Sequence, residues 1–170
     1  MAIQTKRDMF ERELQKLYHA EIEILDLHSD LAAAADSDEI RAIFSGHEGD
    51  TVEQIDRIEA IFATLDSEPR ERGSPIMEGL LAEKDEFVEE VEDVELRELD
   101  VLSIGMINER LEITLLDRLL LLAEGLDLPD DVVSRLETNR TEAKTALEKM
   151  QSHLDKQRVG HDQHASDRRE

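Results

Sequence analysis

The stretch IFSGHEGDTVEQIDRIEAIFATL, residues 43–65, has the periodicity of an amphipathic helix, but its apolar stripe is interrupted in the middle. A buried polar group without a partner costs about 1–3 kcal/mol, so a helix normally keeps this stripe apolar. We therefore expect the polar part to face a partner inside the protein: a hydrogen-bond network, water or a metal ion. Read about every 3.5 residues, the stripe consists of Ile40, Phe44, His47, Thr51, Gln54, Ile58, Ile61 and Leu65.

The same periodicity predicts three further long helices and one short one. Turn residues separate them, notably Asp36-Ser37-Asp38, Pro69 to Pro75, and Gly125 with Pro129. The link across residues 66–93 is long enough to travel the length of a bundle, and it starts the next long helix parallel to the previous one. The sequence thus predicts an all-α, ferritin-like four-helix bundle over residues 1–155, with a short extra helix in the crossover and a polar, disordered tail over residues 156–170. The predicted helices span residues 6–34, 38–65, 76–91, 94–124 and 131–154.

Composition narrows the possible functions. The 170 residues carry a formal net charge of −23 and no cysteine, which excludes disulfides and thiolate chemistry and disfavours binding to nucleic acid. No run approaches the roughly 18 apolar residues that cross a bilayer, and no signal segment is evident, so we expect a cytoplasmic protein with no membrane partner. The acidity is typical of proteins from a high-salt, haloarchaeal cytoplasm, where monovalent cations screen the surface.

Acidic residues recur near the midpoint of each predicted long helix. Glu21 and Asp50 both lie about fourteen residues from the first turn, which at about 1.5 Å per residue places both about 21 Å along the hairpin. Glu112 and Glu142 likewise lie at similar distances before and after the turn between the last two long helices, and Glu109 lies one helical turn from Glu112. We therefore expect these carboxylates to converge in one interior layer.

Buried carboxylates need compensation, because an isolated buried charge costs several kcal/mol. One solution is a pair of iron or manganese ions, which oxygen ligands suit. Another is ion pairing with Arg110 and Arg140, which are adjacent to the acids in sequence. A third is the uptake of protons by carboxyl groups whose pKa values are raised. The sequence leaves all three solutions open.

Four short motifs occur in a characteristic order. The ordered set resembles the YciE/YciF family of stress-associated, ferritin-like helical proteins, and the resemblance extends to about Met150. It implies a dimeric four-helix domain with an extra crossover helix and a di-iron carboxylate site. The motifs are Leu17-Tyr18-His19-Ala20-Glu21, His47-x-x-Asp50-Thr51-x-x-Gln54-Ile55-x-Arg57-Ile58, Met77-Glu78-Gly79-Leu80 and Leu122-Ala123-Glu124-x-Leu126.

The resemblance also implies a ligand set, and the sequence departs from it in places. Gly49, Val52, Arg140 and Thr141 stand where relatives often carry acidic or histidine residues, and no Glu-x-x-His motif of the common di-iron type occurs. Matched position by position, the acidic metal ligands would be Glu21, Asp50, Glu109, Glu112 and Glu142, with His47 or Gln54 as a further ligand or its support.

Two functions follow from these observations. The first is a stress-associated ferritin-like protein with a degenerate di-iron or di-manganese site, acting as an oxidase or a peroxide-consuming protein. The second is a metal-free structural or interaction bundle with an ion-paired polar layer. His28 is interpreted as a core histidine, and His161 and His164 as solvated tail residues. The apolar run Leu119-Leu120-Leu121-Leu122 predicts a homodimer, because it leaves an apolar face for a partner.

Overall fold

The computed structural model describes residues 2–167, with side chains described as far as residue 157. This part of the chain contains five helices and no strand. It is an all-α, ferritin-like four-helix bundle with a short extra helix in the crossover, as the sequence predicted. The helices are α1 (Lys6–Ala34), α2 (Asp38–Thr64), α3 (Pro75–Glu90), α4 (Val94–Ala123) and α5 (Asp130–Asp167).

Side-chain caps and turn residues set the helix ends. The Thr5 hydroxyl accepts a hydrogen bond from the amide of Asp8, whose carboxylate accepts one from the Thr5 amide, which forms a capping box at α1. Ser37 and Asp93 cap the starts of α2 and α4. The side chain of each accepts one hydrogen bond from a backbone amide in the first turn of its helix. Gly125, with φ of +77°, turns the chain after α4 in a conformation that suits glycine.

The four long helices form a ring in the order α1, α2, α5, α4, and each is antiparallel to its neighbours. Helix α3 packs against α4 and α1. The crossover therefore starts α4 parallel to α2, as predicted. Contacts at two levels along each pair give its direction. For α1 and α4 these are Lys6 with Glu124 and Ser37 with Glu98, and for α1 and α2 they are Tyr18 with Glu59 and His28 with His47. For α2 and α5 they are Thr64 with Asp131 and Glu39 with His153, and for α4 and α5 they are Arg140 with Asp117 and Gly105 beside Met150.

Two apolar clusters fill the bundle, one towards each end. One includes Leu31, Phe44 and Leu102, and the other includes Leu14 and Phe62. Between them every long helix contributes polar side chains, so the interruption seen in α2 extends across the whole bundle.

Helix α5 is longer than predicted, because its backbone stays helical to Asp167. Its side chains beyond residue 157, including His161 and His164, lie outside the described part, so the predicted tail over residues 156–170 stays a prediction. Among the described residues, no helix combines the length and apolar character that a membrane span requires.

Candidate functional site

A layer of polar side chains crosses the middle of the bundle, and most of its members are buried. It separates the two apolar clusters, where a polar group has little access to water. We call it the polar layer. It consists of Glu21 and His28 from α1, His47, Thr51 and Gln54 from α2, Glu109 and Glu112 from α4, and Asn139 and Glu142 from α5.

Glu21 and Glu112 form a carboxyl pair between α1 and α4. Among the described residues, no other group donates a hydrogen bond to either oxygen of Glu21 or to Oε1 of Glu112, although all three atoms are buried. The two carboxyl groups hydrogen-bond to each other when one of them is protonated. Burial, together with the charge of Glu109, raises the pKa of Glu21 to about 8. Burial and the carboxylates of Glu21 and Glu109 also raise the pKa of Glu112 well above its usual range. The pair therefore holds protons near neutral pH unless a cation replaces them.

Two buried histidines lie beside this carboxyl pair. The rings of His28 and His47 have centroids 5.7 Å apart, and His28 Nε2 lies 3.7 Å from Oε1 of Glu109. Both ring nitrogens of His28 and Nε2 of His47 lack a hydrogen-bond partner in the described residues. Burial lowers the pKa of His47, which favours the neutral imidazole that can donate a lone pair.

The α5 side of the layer is fully hydrogen-bonded instead. Arg57 binds both oxygens of Glu142, with Nη1–Oε2 and Nη2–Oε1 distances of 2.7 and 2.8 Å. Gln54 Nε2 donates to Oε2 of the same carboxylate at 3.1 Å. The second bond of Nη1 goes to Asn139 Oδ1, and Asn139 Nδ2 donates to the Gln54 carbonyl. This network holds Glu142 as a compensated carboxylate.

A small cavity lies between the two halves of the layer. It encloses about 10 Å³, which is about the room that one water molecule occupies. One water molecule or one metal ion therefore fits in the cavity without unfolding a helix. The cavity is lined mainly by layer residues: His28, His47, Thr51, Gln54, Glu109, Glu112 and Glu142, with Asp50, Ala143 and Ala146.

The comparisons with known proteins agree with this architecture. The profile of DUF892, a domain of unknown function, matches residues 5–161. The chain belongs to the DUF892 family. Among solved structures, YcfI from Rhodopseudomonas palustris shares 29% identity at a TM-score of 0.84, and the match covers 88% of this chain and 94% of that one. The E. coli stress protein YciF shares 26% identity at a TM-score of 0.83, with the same coverage of 88% and 94%. No curated protein sequence matches the chain.

The ferritin-like fold of this DUF892 protein implies a metal site in the polar layer. The described residues contain no group of three or more His, Asp or Glu side chains that could hold a metal ion as they stand. The donor types nevertheless fit, because Glu112 and His47 present buried oxygen and nitrogen atoms at the cavity, and Glu21 lies beside Glu112. A bound ion would need these side chains to rotate towards one another.

Several site residues lie where the sequence predicted them, and one does not. Glu21, Glu109 and Glu112 are buried in the layer, and Glu142 is half-buried with 28% of its side chain exposed. Asp50 was predicted to face inward, but 55% of its side chain is exposed, and its carboxylate lies 3.5 Å from His47 Nδ1. The inward orientation of Asp50 was therefore wrong, and it lies at the mouth of the cavity.

The prediction that Arg110 and Arg140 form ion pairs with the acids of the layer was also wrong. Arg140 pairs with Asp117 on the outside of the bundle, and Arg110 is exposed. Among the described residues, the cation that pairs with a carboxylate of the layer is Arg57, which lies in the second sequence motif and had no predicted role. The sequence feature that could have indicated this role is the position of Arg57, about one helical turn after Gln54.

Proposed function

We propose that this DUF892 protein is a stress-associated, ferritin-like bundle whose polar layer binds iron or manganese. The observation that carries the proposal is a set of buried carboxyl and imidazole atoms with no donor or acceptor partner from the rest of the described residues. His28, His47 and Glu112 of this set line one small cavity, and Glu21 lies beside Glu112. Such atoms are costly unless something binds them. The similarity to the stress protein YciF supports the stress-associated role.

The residues that would hold the ion are Glu21, Glu109, Glu112 and His47. A bound iron or manganese ion would supply one-electron redox chemistry towards dioxygen or peroxide. The chain itself supplies a dry interior. Its raised carboxyl pKa values keep Glu21 and Glu112 protonated near neutral pH, so an arriving cation must displace their protons. Asp50, at the cavity mouth, would attract cations towards the layer.

Metal analysis of protein purified without chelator tests this function. We expect iron or manganese in a fixed ratio to the chain, and a rise in melting temperature when either ion is added to stripped protein. The double variant Glu21→Gln and Glu112→Gln should lose both effects while staying folded, because glutamine preserves the side-chain volume. Glu48→Gln, an exposed substitution on α2, is the matched control and should keep both. Unchanged uptake by the double variant would refute the assignment.

A metal-free structural or interaction bundle is the second candidate. The ion pair between Arg57 and Glu142 favours it, because part of the layer is compensated without a metal. The similarity to YcfI, which has been suggested to be a structural protein, points the same way. Protein that contains no stoichiometric metal, and whose melting temperature does not respond to iron or manganese, would establish this alternative.

We further propose that the protein works in the cytoplasm as a homodimer, with monovalent cations around its acidic surface. Leu121 supports the dimer, because 63% of this leucine is exposed on the outer face of α4 while Leu119 is buried. The formal charge of −23 supports the association with salt cations and a high-salt origin.

A further inference from the structure

We propose that the polar layer binds one metal ion, not two, and that Arg57 is the residue that excludes the second. This inference rests on the proposed metal-binding function and specifies its stoichiometry. Arg57 is a specificity-determining residue in this account, and it acts through Glu142.

Dinuclear carboxylate sites in ferritin-like bundles draw acidic ligands from all four helices. In this chain the α5 acid is unavailable. Both oxygens of Glu142 bind Arg57 at 2.7 and 2.8 Å, and one of them also accepts a bond from Gln54. A bidentate guanidinium–carboxylate pair is among the strongest hydrogen-bonded pairs in proteins, so a metal ion must displace a well-matched partner.

The hydrogen bonds around Arg57 hold it in place. Besides Glu142, its Nη1 donates to the fully buried Asn139 and its Nη2 donates to Glu53. Asn139 in turn donates to the backbone carbonyl of Gln54. Moving Arg57 aside would therefore break four bonds, and leaving it in place keeps a positive charge where a second cation would bind.

In the described residues, the buried carboxyl and imidazole groups that lack a cationic or hydrogen-bonding partner outside the group lie on the other side of the layer. Glu21, Glu112 and His28 come from α1 and α4, and His47 projects towards them from α2. The α2 acid at the same level, Asp50, is exposed. The donor set is therefore one-sided, which suits a single ion in a cavity of about 10 Å³.

The test compares manganese stoichiometry in matched arginine variants of the 170-residue chain. Each protein is stripped with a chelator, reloaded with Mn(II), freed of excess ion, and examined by metal analysis and electron paramagnetic resonance. We expect the unaltered chain to hold one ion with the spectrum of isolated Mn(II). Arg57→Leu should hold two with the spectrum of an exchange-coupled pair, because Glu142 becomes free. Arg140→Leu removes an equal charge outside the layer and should still hold one.

Each other outcome has a distinct meaning. Two coupled ions in the unaltered chain would overturn this inference and leave the proposed function standing, whereas no bound ion would overturn the proposed function itself. A single ion in folded Arg57→Leu would also overturn the role of Arg57.

A second pair of variants covers the case in which Arg57→Leu does not fold. Because Glu142 is not a ligand in this account, Glu142→Gln should change the Mn(II) dissociation constant by no more than about twofold, whereas Glu112→Gln should weaken binding by about tenfold or more. Equal losses in the two variants would contradict the inference.

Discussion

At the scale of single residues, the polar layer follows from the cost of placing a carboxylate away from water. Glu21 and Glu112 lie side by side with no cationic partner in the described structure, whereas Glu142 has Arg57. The first two are therefore neutralised by protons in the metal-free protein, and the third by an ion pair. These two kinds of compensation make different predictions about pH.

The raised pKa of Glu21 makes the metal-free protein less stable as the pH rises. The folded chain binds this proton more tightly than the unfolded chain, because the pKa is about 8 in the fold against an ordinary 4.5. The contribution of Glu21 to the free energy of unfolding should therefore be largest below about pH 4.5, and it should be lost as the pH rises through about 8. The slope per group is at most about 1.4 kcal/mol per pH unit.

Urea denaturation of stripped protein at a series of pH values measures this effect. Glu21→Gln should flatten the slope and raise the stability at pH values above about 8. Glu48→Gln, which removes an exposed acid from α2, should leave the slope nearly as it is. A slope that Glu21→Gln does not change would mean that Glu21 is already ionised in the fold.

Gly105 is required by close packing between helices. A Cβ atom at this position would lie 2.7 Å from two ring carbons of Phe44 and 3.0 Å from the sulfur of Met150. Gly105→Ala should therefore destabilise the protein by about 1–3 kcal/mol, although alanine is the better helix former.

The matched control for Gly105 is Gly49, another mid-helix glycine. Nothing lies within 4 Å of a Cβ atom built at Gly49, so Gly49→Ala should stabilise the protein by about 0.5–1 kcal/mol. Both effects are read from denaturation midpoints. The packing argument would fail if the two substitutions shifted the midpoint in the same direction.

The difference between His47 and Asp50 shows what the sequence could predict about single residues. His47, Thr51 and Gln54 were placed on the interior stripe by their period, and all three are buried. Asp50 was placed by its depth along the hairpin, but depth does not give the direction in which a side chain points. Neighbouring residues on a helix differ by about 100°, and Asp50 precedes the buried Thr51 by one position.

At the scale of helices, the sequence predicted almost every end, because the end signals are local. The observed ends of α1 to α4 lie within one residue of the predicted ones. Caps such as Ser37 and Asp93 are read directly from residue type. The end of α5 was missed because residues beyond about 154 carry few apolar side chains, and periodicity then gives no signal. The partner of Arg57 was also beyond prediction, since its long side chain reaches across to α5.

The caps give a prediction at the same scale. The Asp93 side chain accepts a 3.0 Å bond from the Leu96 amide at the start of α4, whereas Ser74 before α3 makes no side-chain cap bond. Asp93→Ala should cost about 1 kcal/mol of unfolding free energy, and Ser74→Ala should cost much less. Asp93→Asn should restore most of the loss. Equal costs at Asp93 and Ser74 would argue against the capping role of Asp93.

At the scale of the whole molecule, the charge of −23 and the outer face of α4 govern association. Screening by salt should reduce self-repulsion, so we expect a dimer in sizing experiments at high salt. Leu121→Glu should shift the protein to a monomer, because it places a charge on the exposed apolar face. Val52→Glu, a substitution at an exposed apolar residue on α2, is the control and should leave the dimer intact. A monomer in the unaltered protein at high salt would refute the dimer.

The central claim is that the interior carboxyl and imidazole groups are unpartnered because they bind a metal ion. An anomalous diffraction map of crystals soaked in Mn(II) or Fe(II) tests it most directly. The claim predicts a peak inside the bundle, within coordination distance of Glu21 or Glu112 and on the side of the cavity away from Arg57. A well-ordered map with no anomalous peak in the cavity, with Glu21 and Glu112 still facing each other, would contradict it.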